Sequence, residues 1–227
     1  MKTKIFNFLT KPYMVVLTML VAPVFGFIDR NFVFFFGLGV ALLILWSSNF
    51  EWSRFGIEKR ISKKMIMTSI VLALAFFLLF SLVIDPVLQS LFGAYDLSSL
   101  EDVRDNLGGY IALMMIMWVF AAFGEEFLFR GYFMKALAEL FGNDNTAWRV
   151  SAIITSLYFG ISHAYQGTIG VVSVFLWSLC MSTIFFKKRN KLLLLVFVHG
   201  FYDSIGITLL YFNKDQIIAE WVQGMFS

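Results

Sequence analysis

The stretch that decides the fold is GYIALMMIMWVFAAFGEEFLFR, residues 109–130. It is long enough to cross the hydrocarbon core of a membrane, which takes about 20 predominantly apolar residues in a helix. Near its end, however, lie three ionisable residues, Glu125, Glu126 and Arg130. Each costs about 2.5–3.5 kcal/mol at the centre of a membrane helix, so together they would cost roughly 7–10 kcal/mol unless paired or hydrated. The stretch therefore predicts a membrane helix that ends in a buried polar site.

The whole chain has the composition of a helical membrane protein. Its 227 residues are 59% hydrophobic, with a mean hydropathy of +0.79, whereas soluble domains are about 45–50% apolar. Apolar segments at about 13–28, 32–48, 65–88, 109–130, 148–165, 167–186 and 192–212 predict an all-α, polytopic transmembrane helical bundle with seven spans. Residues 1–227 are expected to form a single membrane-embedded domain. An eighth span in residues 215–227 is left open, because that stretch is only weakly amphipathic.

The distribution of basic residues predicts the orientation. If the N-terminus is cytosolic and the spans alternate, only Arg30, Arg104 and Lys214 of the 18 basic residues fall outside; the rest, Lys59 among them, fall inside. This bias follows the positive-inside rule and predicts a multi-pass protein of the cell (inner) membrane. The net charge is only +3 and the basic residues cluster in loops, so nucleic acid binding has no support. The fourth segment is expected to continue as an amphipathic helix through Phe141.

The acidic pair in the fourth segment offers two different roles. Glu126 and Arg130 are four residues apart and would share one face of an α-helix, which predicts an ion pair that holds the helix. Glu125 would point about 100° away from that pair and could face a cavity. A carboxylate in such a place can act as a general base. Gly131 directly afterwards would allow close packing.

The two histidines of the chain lie in two further polar islands. His163 ends the run that begins at Phe159, and His199 begins a run that ends at Asp203. His199 and Asp203 are four residues apart and would face one side of the last span, either with the carboxylate orienting the imidazole or with both groups reaching one substrate atom. A lone membrane histidine more often bonds to a neighbouring helix. Three such islands in one small chain favour a common site.

A metal is one of two chemistries that these residues allow. His163, His199 and Glu125 could form a His2Glu zinc site that leaves the fourth position to water. The sequence contains no His-Glu-x-x-His helix, however, and a metal-free mechanism is equally compatible. In that mechanism Glu125 and His163 activate water, while His199 and Asp203 position the scissile carbonyl and stabilise the oxyanion. Asp203 would have to be protonated to donate a hydrogen bond there; as a carboxylate it would orient His199.

Taken in order, the three islands resemble the signatures of the CAAX protease and bacteriocin-processing (CPBP) family of intramembrane proteases. These signatures are Glu-Glu-x-x-x-Arg, Phe-x-x-x-His and His-x-x-x-Asn/Asp. The chain carries them as EEFLFR at 125–130, FGISH at 159–163 and HGFYD at 199–203. The resemblance extends over residues 109–212. The family includes type II CAAX prenyl endopeptidases and lysostaphin-resistance-like proteins.

The resemblance implies an endopeptidase that cleaves a hydrophobic, prenylated or membrane-associated peptide or protein. It implies Glu125 as the base, His163 as an aid to water activation, and His199 and Asp203 near the oxyanion. Glu126, Arg130 and Phe159 would support the site. Family members are usually called metalloproteases, although a glutamate-dependent mechanism without zinc has also been argued for them. Two other classes stay open, a non-catalytic immunity or scaffold protein and a transporter with an intramembrane Glu/His/Asp relay.

Overall fold

The computed structural model describes residues 1–58 and 60–224, and this part of the chain is all-α, as the sequence predicts. It contains no β-strand, although Ile57 and Lys191 form an isolated antiparallel bridge. Lys59, one of the basic residues predicted to be cytosolic, lies outside the described residues. The helices are α1 Lys2–Leu9, α2 Tyr13–Phe25, α3 Arg30–Ser47, α4 Lys63–Phe92, α5 Leu107–Leu140, α6 Asn145–Ser162, α7 Gly167–Lys187, α8 Leu192–Tyr211 and α9 Ile217–Gly224.

The predicted count of seven spans is not confirmed. Five helices in the described part of the chain are long and apolar enough to cross a membrane, namely α3, α4, α5, α7 with the turn before it, and α8. A sixth span results if α1 and α2, which are bent by 83° at their junction, are counted as one. By itself α2 is only about 20 Å long, at 1.5 Å per residue, and a bilayer core is about 30 Å thick.

The predicted fifth segment forms α6, which is too polar to pass as a span. One face of this helix carries Ser151, Thr155 and Ser156, all of which are buried inside the protein. Ser151 donates to the carbonyl of Ala147 and Thr155 donates to that of Ser151, each at 2.7 Å. Hydroxyls that are satisfied by their own helix can be buried at little cost. The hydropathy of α6 therefore underestimates how far the helix is buried, because its polar residues face protein.

Two expectations about helix ends concern α5 and the C-terminus. Helix α5 runs 34 residues, from Leu107 to Leu140, which confirms that the fourth segment continues well beyond the predicted span. Helix α9 has eight residues, about 12 Å, and over its described part is too short to cross a bilayer. Residues 225–227 of the stretch left open as an eighth span lie outside the described residues.

An ion-pair cluster anchors the start of the C-terminal stretch. Arg104 donates to both carboxylate oxygens of Asp215, at 2.6 and 3.0 Å, and also to Glu101 at 2.8 Å. The hydrogen bonds from Arg104 lower the pKa of Asp215 from its ordinary value of 3.8. The same bonds raise the pKa of Arg104. Bidentate pairs of this kind are the stronger form of the arginine–carboxylate interaction.

The chain folds into two compact units, each assembled from separate stretches of sequence. The first unit comprises Met1–Arg60, Phe123–Thr155 and Ser182–Leu193, and the second comprises Ile61–Ala122, Ser156–Met181 and Leu194–Ser227. The core of the first unit is aromatic, with Phe127 stacked between Phe55 and Phe123 at centroid distances of 4.4 and 5.7 Å. The core of the second unit includes Phe159 and Trp177. The single domain stays a prediction.

Candidate active site

The first unit contains the acidic pair of α5. Arg130 Nη1 donates to Glu126 Oε1 at 3.0 Å, so the ion pair that the four-residue spacing predicts is present. Both side chains are buried, with 0% of Glu126 and 1% of Arg130 exposed. A buried pair gains much from its mutual attraction because little water screens it, but each ion also loses its hydration. The pair therefore holds α5 only as long as both partners remain.

The geometry of α5 differs from the α-helix that the sequence analysis assumes. Residues Met117–Met134 form a π-helix, in which each N–H bonds to the carbonyl five residues earlier. The wider turn brings Glu125 and Arg130, which are five residues apart, closer to one face than an α-helix would. Arg130 is attracted electrostatically to both carboxylates, more strongly to Glu126 than to Glu125. One guanidinium thus serves two acids. Because π-helices occur frequently at functional sites, the segment also marks this end of α5 as a candidate site.

Gly131 has the role that its position suggests. A Cβ at Gly131 would lie 3.2 Å from the carbonyl oxygen of Phe55 and 3.2 Å from the side chain of Leu192. The absent side chain lets two other segments of the first unit pack directly against the turn that follows Arg130. Close packing there excludes water from the buried ion pair.

The second unit contains the paired groups of α8. His199 Nε2 lies 3.3 Å from Asp203 Oδ2, so the structure brings together the two residues predicted to share a face. The histidine side chain is 6% exposed and the aspartate side chain 26%. A carboxylate can only accept, so Nε2 carries the proton and, in the neutral ring, Nδ1 carries the lone pair. The observed contact favours the carboxylate that orients the imidazole.

His163 is oriented by the backbone of its own motif. Its Nδ1 lies 2.9 Å from the carbonyl oxygen of Phe159. Because a carbonyl only accepts, Nδ1 is the protonated nitrogen and Nε2 carries the lone pair of the neutral ring. The Phe159 ring packs on the imidazole at a centroid distance of 4.7 Å. Phe159 therefore contacts His163 through both its ring and its carbonyl.

One aromatic cluster joins the two histidines within the second unit. Trp177 lies 4.5 Å from His199 and 6.3 Å from Phe159, measured between ring centroids, and Phe159 in turn packs on His163. Tyr202 packs on the same Trp177 at 5.6 Å. Trp177 thus contacts Phe159 and His199 directly, and these in turn contact His163 and Asp203. Glu125, Glu126 and Arg130 belong to the first unit.

Sequence reasoning missed a second carboxylate of this unit, Asp85. Its Oδ1 accepts hydrogen bonds from Tyr95 and Ser173, both at 2.7 Å. Tyr202 interacts electrostatically with both Asp85 and Asp203, so the two carboxylates are neighbours of one phenol. The signal was present in the sequence, because an aspartate inside the predicted segment 65–88 is as costly as the glutamates of α5. A short π-turn, Phe80–Ile84, immediately precedes it.

A groove of about 460 Å³ runs along α8 in the second unit. It is lined from α4 by Ile70, Ala73 and Leu74 and from α8 by Phe201, Ser204, Ile205, Thr208 and Leu209. Its lining is almost entirely apolar, and its volume lies within the range of about 300–1,000 Å³ typical of ligand pockets. The groove therefore offers a hydrophobic surface on the same helix as His199 and Asp203.

Gly200 is the point at which α8 accepts the indole of Trp118. A Cβ there would lie 2.4 Å from the Trp118 ring. Gly200→Ala should therefore lower the free energy of unfolding by about 1–3 kcal/mol through overpacking, as measured by thermal unfolding in detergent. Gly206→Ala is the matched control on the same helix, because a Cβ there meets nothing within 4 Å; it should be neutral or stabilising by up to about 1 kcal/mol. Equal losses in both variants would contradict this packing.

The described residues of neither unit, taken alone, contain a group of three or more His, Cys, Asp or Glu side chains that could hold a metal. A catalytic zinc site needs three protein ligands. The two imidazoles of the second unit are suitable donors, but they do not make a complete site there. The zinc set of His163, His199 and Glu125 stays a prediction from the sequence.

Comparison with known proteins gives a family match for part of the chain. Residues 107–205 match the family model described as "Type II CAAX prenyl endopeptidase Rce1-like". The match spans α5 to α8 and includes all three motifs on which the resemblance rests. Searches of curated proteins and of solved structures found no match. The resemblance is confirmed over residues 107–205, where the chain is similar to the CAAX-type proteases of the CPBP family.

Proposed function

We propose that the protein is an intramembrane endopeptidase that hydrolyses a peptide bond in a hydrophobic or prenylated membrane-associated peptide, using a water activated by Glu125 and His163. The observation that carries the proposal is the family match, which covers every predicted catalytic residue. The chain of contacts from His163 through Phe159 and Trp177 to His199 and Asp203 supports it, because catalytic groups must be held in place by rigid neighbours. The multi-pass helices support a site within the membrane.

The roles follow from the protons that each group carries. The bond from His163 Nδ1 to Phe159 leaves Nε2 as the nitrogen able to take a proton from water. Glu125 acts as the main base for the same water. His199, held by Asp203 at Nε2, becomes a better donor when it is protonated, and the carboxylate stabilises that imidazolium. Glu126 neutralises Arg130 and takes no part in proton transfer.

The groove along α8 supports a hydrophobic substrate. It lies on the helix that carries His199 and Asp203 and has little polar lining, so a lipid chain or an apolar peptide segment could lie there without losing hydrogen bonds to water. A prenyl chain has this chemistry. We place the cleaved bond near the cytosolic face of the inner membrane, with the N-terminus in the cytosol, since the positive-inside bias supports that orientation.

Zinc is a proposal about cofactor use and no step is derived through it. If bound by Glu125, His163 and His199, it would supply a Lewis acid that lowers the pKa of its water. In either case the residues of the chain hold the same positions, with His163 fixed by Phe159 and His199 fixed by Asp203.

The test is a comparison of protein termini in membranes from cells that carry the wild-type protein or Glu125→Gln. New peptide ends that disappear in the variant at equal expression would establish the protease and identify its substrate. Glu101→Gln, the same change at an exposed side chain, is the matched control and should keep those ends. Identical termini in all three strains, over growth conditions in which membrane peptides are sampled broadly, would favour the immunity protein or the transporter.

A further inference from the structure

A cavity of about 80 Å³ in the first unit brings together basic residues from three distant parts of the chain. Lys11 comes from the break between α1 and α2, Arg54 from the segment after α3, and Lys135 from the last turns of α5. All three belong to the set predicted to be cytosolic from their positions in the sequence. Because they line one cavity, the three residues are expected to lie at the same depth near one membrane face.

The charges around the cavity leave one positive charge in excess. Three cations line it, and the charges of Lys135 and Arg54 lie close enough to repel each other. Two carboxylates oppose them, Glu139 in the lining and Glu51, which accepts from Arg54 at 3.0 Å. A group with a single negative charge would balance the cluster. The phenol of Tyr132 also lines the cavity, and a hydroxyl is a suitable donor to a phosphate oxygen.

The remaining lining residues of the same cavity are mostly apolar. Leu9, Pro12, Val15 and Ile44 are among them. Beyond it, α2 and α3 expose Leu17, Leu20, Leu42 and Leu43, side chains suited to contact with acyl chains. An inorganic anion would gain nothing from this surface, whereas a ligand with a charged head and apolar chains would use both the charged and the apolar residues.

The bend between α1 and α2 places the cavity at a corner of the chain. The two helices meet at 83°, so if α2 runs along the membrane normal, α1 lies close to the membrane plane. Helices of this kind lie at the level of the lipid headgroups. Arg54 packs over the ring of Phe6, 4.8 Å from its centroid, and so ties α1 to the cavity wall. Basic pockets at the cytosolic side of membrane helices bind anionic headgroups.

From these observations we propose that the cavity lined by Lys11, Arg54 and Lys135 binds the phosphodiester headgroup of an anionic phospholipid in the cytosolic leaflet. The proposal does not depend on the protease activity, because none of its residues is among those assigned to water activation or oxyanion stabilisation. It predicts a site of defined stoichiometry, one lipid per chain, where diffuse surface charge would give a graded association.

The test is native mass spectrometry of the purified full-length protein with phosphatidylglycerol, phosphatidylcholine or inorganic phosphate added. Wild-type protein should retain one phosphatidylglycerol and prefer it to the zwitterionic phosphatidylcholine. Lys135→Gln should weaken retention about fivefold, since each basic residue near a lipid surface contributes about 1 kcal/mol. Lys64→Gln removes the same charge at an exposed position outside the cavity, in the first turn of α4, and should leave retention unchanged.

Three results would overturn the proposal. Equal weakening in Lys135→Gln and Lys64→Gln would show diffuse attraction to the surface. Displacement of the lipid by millimolar inorganic phosphate would show a site for a free anion. Unchanged retention in Lys135→Gln would show that the cavity is not the site. If Lys135→Gln does not fold, Lys11→Gln, at an exposed side chain in the helix break, tests the same cavity and carries the same expectation.

Discussion

Glu126→Gln is expected to lower the free energy of unfolding by about 3–5 kcal/mol, the usual cost of removing one partner from a buried ion pair. The amide keeps the shape of the carboxylate but leaves the buried guanidinium of Arg130 without the negative charge of its ion-pair partner. The loss should appear as a lower unfolding midpoint in detergent, with less folded protein recovered from membranes. Proteolytic activity per folded molecule should change much less than the yield.

Glu125→Gln is the matched control, because it makes the same chemical change at the adjacent position. Glu125 attracts Arg130 less strongly than Glu126 does, so Glu125→Gln should lose less stability than Glu126→Gln. Its activity, by contrast, should be abolished. A double variant, Glu126→Leu with Arg130→Met, should regain much of the stability because no charge is then left buried. Equal destabilisation by Glu125→Gln and Glu126→Gln would mean that Arg130 depends equally on both acids, against the proposed division of roles.

Asp203→Ala is expected to lower kcat/KM by about 10²–10³-fold, the range found when a group that stabilises a developing oxyanion is removed. Alanine leaves His199 Nε2 without the acceptor that fixes its tautomer and supports its protonated form. The measurement uses the peptide identified from the comparison of termini, with purified protein in detergent. Unfolding midpoints measured alongside separate a chemical loss from a structural one, since Asp203 is partly exposed and its removal should cost little stability.

Asp203→Asn tests whether the negative charge of Asp203 is needed for activity. An amide oxygen still accepts from His199, and CPBP family signatures allow Asn at this position, so activity within about tenfold of wild type is expected. Asparagine can still orient His199 and can still donate to the oxyanion, but it carries no negative charge. If Asp203→Asn is as inactive as Asp203→Ala, the carboxylate charge itself is needed.

The sequence predicted the helices better than it predicted which of them span the membrane. Continuous apolar segments locate α3, α4, α5, α7 and α8, because lipid-facing and protein-facing residues are equally apolar in a span. Two predicted spans are not confirmed: α6, where buried serines and threonines lower the hydropathy, and α2, which counts as a span only together with α1. Hydropathy measures transfer from water, and it does not report which neighbour a residue will meet.

The site shows the same limit. The four-residue spacings predict the Glu126–Arg130 and His199–Asp203 contacts, since such pairs face each other in any regular helix. The π-helix over residues 117–134 could not be predicted from those spacings. For the same reason the spacings did not predict the electrostatic attraction between Glu125 and Arg130. Asp85 was missed for a different reason. It stands alone in its segment, and its partners Tyr95 and Ser173 are distant in the sequence.

The end of α6 has a consequence for how mutations of the second motif are interpreted. At the last turn, the His163 N–H bonds to the carbonyl of Gly160, three residues back, so the Phe159 carbonyl is not claimed by the usual helical bond from that N–H. This carbonyl accepts instead from the His163 imidazole and from the Ser162 hydroxyl. The end of α6 thus fixes the tautomer of His163. Replacing the Phe159 side chain would leave the hydrogen bond to the Phe159 carbonyl in place. Lengthening α6 by a residue would remove this hydrogen bond. A change of secondary structure would then change which ring nitrogen of His163 carries the proton.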